Sequence, residues 1–122
     1  MVSNEGGTVP VALAVGRVLL GAASLGAPHA LNRAFGARST PESLYLMRVY
    51  GIRALAMGFG YLTAGPQERA RWLRLGLLID VSDTVAGLGN VRRGDVSSRT
   101  AWPLVALTGT YAVAEAIRLS VR

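Results

Sequence analysis

The sequence predicts an all-α protein, a four-transmembrane-helix bundle folded up-down-up-down. Three observations carry that expectation. Hydrophobic residues make up 51% of the 122 and charged residues 16%, whereas an ordinary soluble domain carries about 25% charged residues. Mean hydropathy is +0.36. The apolar residues gather in four runs of similar length, each bracketed by Pro, Gly or a capping residue. A chain this short builds one domain, expected here to be a single integral membrane domain over residues 1–122.

The first helix is expected over about 10–27, closed by Pro28, which cannot continue a helix. The second spans about 44–62. Thr40 and Pro41 supply its cap and first-turn proline, and Gly65-Pro66 closes it. The third spans about 72–88 and ends at Gly89-Asn90. The fourth spans about 102–120, with Pro103 in its first turn. The connections are then 28–43, 63–71 and 89–101. Runs of 17 to 19 residues lie near the lower limit for crossing a hydrocarbon core of about 30 Å. Trp72, Trp102, Tyr45 and Tyr61 fall near segment ends, where amphipathic rings anchor at an interface. Leu19-Leu20, Leu77-Leu78-Ile79 and Leu104-Val105-Ala106-Leu107 leave little polar surface for the competing fold, a soluble helical bundle.

Composition also excludes several chemistries. The sequence contains no Cys, which removes disulfide scaffolds, thiolate zinc sites and dithiol chemistry. All thirteen basic residues are Arg, a usage that points to a GC-rich bacterial genome. A net charge of +6 would suggest nucleic acid in a soluble protein. Here the Arg residues flank apolar runs, where basic side chains meet lipid head groups, and no basic stretch is interleaved with aromatics. The lipid bilayer is therefore the expected partner, nucleic acid is not, and no cofactor is implied. Met1–Thr8 holds Glu5 and no basic residue, so the first apolar run is expected to be retained, not cleaved as a leader. Orientation is undetermined, because Arg69, Arg71, Arg74, Arg118 and Arg122 on one side balance Arg33, Arg38, Arg92, Arg93 and Arg99 on the other.

The charges inside the runs are Arg17, Arg48, Arg53, Asp80, Asp83 and Glu115. An ionised group facing lipid at mid-depth costs at least about 2.5–3.5 kcal/mol, so such residues are expected to turn inward and pair. Gly76, Asp80, Asp83 and Gly87 recur at helical spacing on one face, as do Arg17, Gly21 and Ser24, and Thr108, Tyr111, Glu115 and Arg118. Arg48, Gly51, Leu55 and Gly58 form a further stripe, with Arg53 about 140° round the same helix. Gly51, Gly58, Gly76 and Gly87 permit close helix approach. Equal depth in antiparallel helices would pair Arg53 with Asp80, Arg48 with Asp83 and Arg17 with Glu115. Two consequences stand side by side. The pairs fix helix order, or they line a polar cavity that receives a head group, a proton or a partner's charge.

Other motifs are loose. Asp80-Val81-Ser82-Asp83 matches a magnesium-diphosphate aspartate pair in spacing alone, with Arg residues competing for its carboxylates, and no metal site is expected. His29 beside Pro28 reads as a loop residue. No phosphate-binding loop, nucleophile elbow or His cluster is present. The pattern Arg48-x-x-Gly51-x-Arg53-x-Leu55-x-x-Gly58, followed by Asp80-x-x-Asp83, resembles small four-helix bacterial membrane proteins of the DoxX-like kind. That resemblance implies the fold and no defined activity. Size and span count are also similar to small multidrug-resistance transporters, but those carry a first-helix glutamate where this chain has Arg17.

Three functions follow as expectations for a multi-pass protein of the bacterial cytoplasmic (inner) membrane. The first is a non-catalytic accessory subunit of a larger membrane complex, or a binder of a lipid-like, apolar small molecule. The second is a membrane-embedded isomerase or cyclase, with Asp80, Asp83 or Glu115 as acid or base and Tyr111 orienting or donating, while Arg17, Arg48 and Arg53 pair charge or bind substrate. The third is a small proton-coupled transporter, which a homodimer would serve.

Overall fold

The structure, a computed structural model, describes residues 2–120, with side chains from Thr8 to Ser120; the side chain of Glu5 and all of Arg122 lie outside the described residues. Five helices follow in order: α1 (Val2–Gly26), α2 (Pro28–Ala34), α3 (Pro41–Thr63), α4 (Pro66–Arg93) and α5 (Ser98–Ser120). There is no strand among the described residues. The protein is all-α.

The helices run longer than the apolar runs, because good helix formers carry them through charged flanks. Pro28 does not simply end the first helix. It occupies the first turn of α2, where its missing N–H costs nothing. His29 therefore sits in a helix, exposed, and not in a loop. Thr40 caps α3 as the sequence suggests, and Ser43 completes the reciprocal pair, donating 3.0 Å from its N–H to Thr40 Oγ1 and accepting 2.9 Å from the Thr40 N–H. The α3–α4 connection shrinks to Ala64 and Gly65, since Pro66 opens α4. Instead of stopping at Gly89-Asn90, α4 continues to Arg93. Gly94 then takes φ +71°, a left-handed value that suits glycine, and its N–H reaches the Asn90 carbonyl at 2.9 Å. The Ser97 hydroxyl accepts from the Arg99 N–H at 3.2 Å and starts α5 four residues before Trp102. Pro103 thus lies inside the helix and not at its first position.

Packing divides the chain into two compact units, Met1–Trp72 and Leu73–Arg122, with the boundary inside α4. In the first unit, α1 and α3 cross with their backbones in contact. A Cβ on Gly21 would lie 2.6 Å from the Gly51 carbonyl oxygen, and one on Gly51 would lie 3.0 Å from the Gly21 carbonyl oxygen. Further along, a Cβ on Gly58 would meet the Ala14 carbonyl oxygen at 2.7 Å. Later residues of α1 face earlier residues of α3, so the two run antiparallel. Small residues create this contact, as the sequence stripes suggest.

The start of α4 closes the unit. Trp72 lies where a side chain at Gly60 would stand, 2.5 Å from its Cβ position. The Arg69 guanidinium covers the Tyr61 ring at 4.8 Å. Tyr61 is buried and Trp72 half-buried, so both aromatics pack within the unit. Tyr45 and Trp102 are exposed.

In the second unit, α4 and α5 meet through Thr84, whose hydroxyl donates to Thr108 Oγ1 at 2.8 Å, and through Gly87, where a Cβ would meet Val105 Cγ2 at 2.6 Å. Moving up α4 again means moving down α5.

Because the Gly21 site is walled by backbone, Gly21→Ala is expected to force α1 and α3 apart at a cost of about 1–3 kcal/mol. Gly26, with nothing within 4 Å of its Cβ position, provides the control, and Gly26→Ala is expected to leave stability unchanged or slightly raised. Thermal unfolding of both variants checks this, and equal effects would contradict the crossing.

Candidate functional site

The polar residues of α4 and α5 converge on one face of the second unit. The Thr84–Thr108 and Gly87–Val105 contacts fix the register, which places Tyr111 level with Val81 and Glu115 level with Leu77. At ~1.5 Å per residue, Asp80 lies about 1.5 Å from the level of Tyr111 and about 4.5 Å from that of Glu115. Helical spacing puts Asp80 and Asp83 on one side of α4, and Tyr111, Glu115 and Arg118 on the matching side of α5. Two acids and a phenol thus share little more than one turn of depth.

Burial separates these residues. Asp80 is 2% exposed and Glu115 3%, whereas Asp83 and Tyr111 are half-buried. Buried carboxylates are tolerated only with partners, and none of these four side chains is without one. The Thr84 hydroxyl also lies 2.7 Å from the Asp80 carbonyl, so the backbone at the acid is engaged by the residue one turn later. Among the described residues no three His, Cys, Asp or Glu side chains gather as a metal site needs.

The basic candidates lie in the first unit. Arg17 is half-buried, on the α1 stripe between Ala14 and Gly21. Arg48 and Arg53 are exposed. A long apolar stem lets the guanidinium lie along its own helix, and Arg53 sits 5.7 Å from the ring centroid of Tyr50, three residues earlier. Each expected Arg–carboxylate pairing joins a residue of the first unit to one of the second.

Two further polar residues are buried, Ser24 on the stripe that its spacing marks and Asn32 without such a signal. Ser24 is wholly buried and donates to the Leu20 carbonyl at 2.8 Å. Asn32 is buried in α2 and donates to Ser39 Oγ at 3.1 Å, tying the helix to the loop that follows. Arg69 over Tyr61 also carried no sequence signal, because the two come together only when the α3–α4 connection is two residues long. Comparison with models of protein families, with curated proteins and with solved structures finds no match.

The burial pattern orders the candidates by cost. Asp80→Ala and Glu115→Ala are each expected to destabilise by about 3–5 kcal/mol, the cost of breaking a buried charged pair. Arg48→Ala, on an exposed side chain, is expected to stay within about 0.5 kcal/mol. Thermal unfolding of the three single variants measures this; an Arg48→Ala loss as large as that of Asp80→Ala would contradict the ordering.

Proposed function

We propose that the chain is a non-catalytic multi-pass protein of the bacterial inner membrane, acting as an accessory subunit of a membrane complex or as a binder of a lipid-like molecule. In this reading α1, α3, α4 and α5 are four spans running up-down-up-down in the DoxX-like manner, and the polar face of α4 and α5 lies inside.

One observation carries the reading: the chain hides polar groups and exposes large apolar ones. Its buried apolar residues are Ala14, Ala54, Ala70, Ala101, Met57, Tyr61 and Leu73, while Ser24, Asn32, Asp80 and Glu115 are also buried. Leu19, Leu46, Ile52, Phe59, Leu78, Val85, Val113 and Ile117 are exposed, Leu19 by 64% and Leu78 by 63%. A soluble monomer seldom exposes large contiguous apolar patches, whereas in lipid small residues pack the interior and leucines face the acyl chains.

The hydroxyls support the same solvent. Ser24, Thr63, Ser82 and Thr110 each donate to the carbonyl four residues earlier, at 2.7 to 2.8 Å. Such back-bonds satisfy a hydroxyl without water. Among the described residues one helix, Thr8–Gly26, is by itself long and apolar enough to cross a bilayer, and 22% of that window is buried. Charges lower the apolar character of the other three long helices, so these would cross only with their polar faces turned from lipid.

A membrane-embedded acid–base enzyme is the second reading, favoured by the shared depth of Asp80, Tyr111 and Glu115. Bland motif content and the exposure of Arg48 and Arg53 weigh toward the non-catalytic one.

Membrane fractionation tests the proposal. The chain is expected to remain in the pellet after high salt and after alkaline carbonate, and to need detergent for release. Recovery as a stable monomer without detergent would place it among soluble helical bundles.

A further inference from the structure

The register of the second unit gathers three arginines at one level. The Thr84–Thr108 and Gly87–Val105 contacts set the same pairing along α4 and α5. Continued outward, it places Arg93 level with Arg99, and Arg92 about 1.5 Å from that level. All three side chains are exposed. Arg93 is already engaged: its Nε donates to Asp95 Oδ2 at 3.0 Å and its Nη2 to Asn90 Oδ1 at 2.9 Å. Among the described residues no carboxylate pairs with Arg92 or Arg99. Helix formation does not account for Arg99 either, since it stands in the first turn of α5, where the helix dipole disfavours a cation. The start of α4 gives the contrast. There Arg69 lies over the Tyr61 ring, and Arg71 has Glu68 at 3.7 Å.

What lies next to the arginines along the helices selects their partner. By the same pairing Trp102 is level with Asn90, and Leu88 with Leu104; Trp102, Leu88 and Leu104 are all exposed. From these leucines to the arginines is four or five residues, about 6–7.5 Å at ~1.5 Å each. Going outward, the surface passes from leucine to an indole to uncompensated guanidinium within two turns. A membrane–water interface has that order: hydrocarbon, then the layer where tryptophan settles, then phosphate. Three guanidinium groups against the one carboxylate of Asp95 leave the turn positive, which attracts anionic lipid. Guanidinium donors also match the geometry of phosphate oxygens.

We propose that the α4–α5 turn is a binding surface for anionic phospholipid head groups, with Arg92 and Arg99 taking phosphate oxygens and Trp102 lying against the upper acyl chain. The surface deepens the membrane reading above and rests on it. Its guanidinium–phosphate chemistry is shared with free inorganic phosphate.

Quenching of Trp102 fluorescence by lipids with brominated acyl chains tests it. Trp72→Phe leaves Trp102 as the one tryptophan. The protein is reconstituted in mixtures of phosphatidylglycerol and phosphatidylcholine in which either lipid carries the bromine. Phosphatidylglycerol is expected to compete for the place beside Trp102 at least about fivefold better than phosphatidylcholine. Arg92→Gln/Arg99→Gln is expected to bring that ratio to about one. Arg71→Gln/Arg74→Gln, the same change of charge elsewhere on α4, is expected to keep the preference, as is added inorganic phosphate at matched ionic strength. Loss of the preference on adding phosphate would assign the two arginines to free phosphate and overturn the lipid surface. A preference that survives in Arg92→Gln/Arg99→Gln, or that Arg71→Gln/Arg74→Gln removes equally, would overturn it too. If Trp72→Phe does not fold, the wild-type background is read instead, with Trp72 adding a contribution common to all variants and the same loss expected in Arg92→Gln/Arg99→Gln. Equal quenching by the two lipids in every variant defeats the surface alone. Absence of quenching by either lipid means that Trp102 does not meet acyl chains, and the membrane reading fails first.

Discussion

Taking a carboxylate out of water is among the most costly things a helix can do, and this chain does it at Asp80 and Glu115 while leaving Leu19, Leu46 and Leu78 exposed. In water both choices oppose folding, since the charge loses hydration and the apolar surface is never buried. In a bilayer the second cost vanishes, because acyl chains solvate leucine as well as a protein core does. What remains is a strict demand on the interior. Every polar group there must find a partner within the protein, and every helix must approach closely enough to provide one. The hydroxyl back-bonds, the Thr84–Thr108 bond and the glycine contacts all answer that demand.

The two units answer it differently. Between α1 and α3 the contact is steric: Gly21, Gly51 and Gly58 bring the backbones together, close enough for dispersion to act along the crossing. Between α4 and α5 the contact is polar, with a threonine pair on the seam and Asp80, Asp83, Tyr111 and Glu115 along one side. An interior of glycine and alanine excludes ligands by filling space. A face carrying two buried acids and a phenol is where any binding or chemistry would reside.

Much of this was legible in the sequence. The stripes of Gly21 and Ser24, of Gly51 and Gly58, and of Asp80, Asp83 and Gly87 point where their spacing says, because 3.6-residue periodicity survives any choice of solvent. Helix ends were less legible. Apolar content stops where lipid would stop, but backbone hydrogen bonding continues through Arg92 and Arg93 until Gly94 turns the chain. Ser97 and Pro28 were start signals hidden in segments that looked like loops. The directions of long side chains such as Arg48 and Arg53 are not legible from spacing alone. A long side chain can leave the face its Cα occupies, and Tyr50 gave Arg53 a place to lie.

The central claim is that the exposed leucines and valines meet lipid. The chain has no Cys, so single cysteines can carry spin labels without background. Labels at Leu19, Leu78 and Val113, with one at Asp95 in the α4–α5 connection, would be read in reconstituted vesicles for collision with oxygen and with a water-soluble nickel chelate. Oxygen is expected to dominate at the first three and the chelate at Asp95, since oxygen concentrates in the hydrocarbon and the chelate stays in water. Chelate access at Leu19, Leu78 and Val113 equal to that at Asp95 would mean these side chains face water, and the account would be wrong.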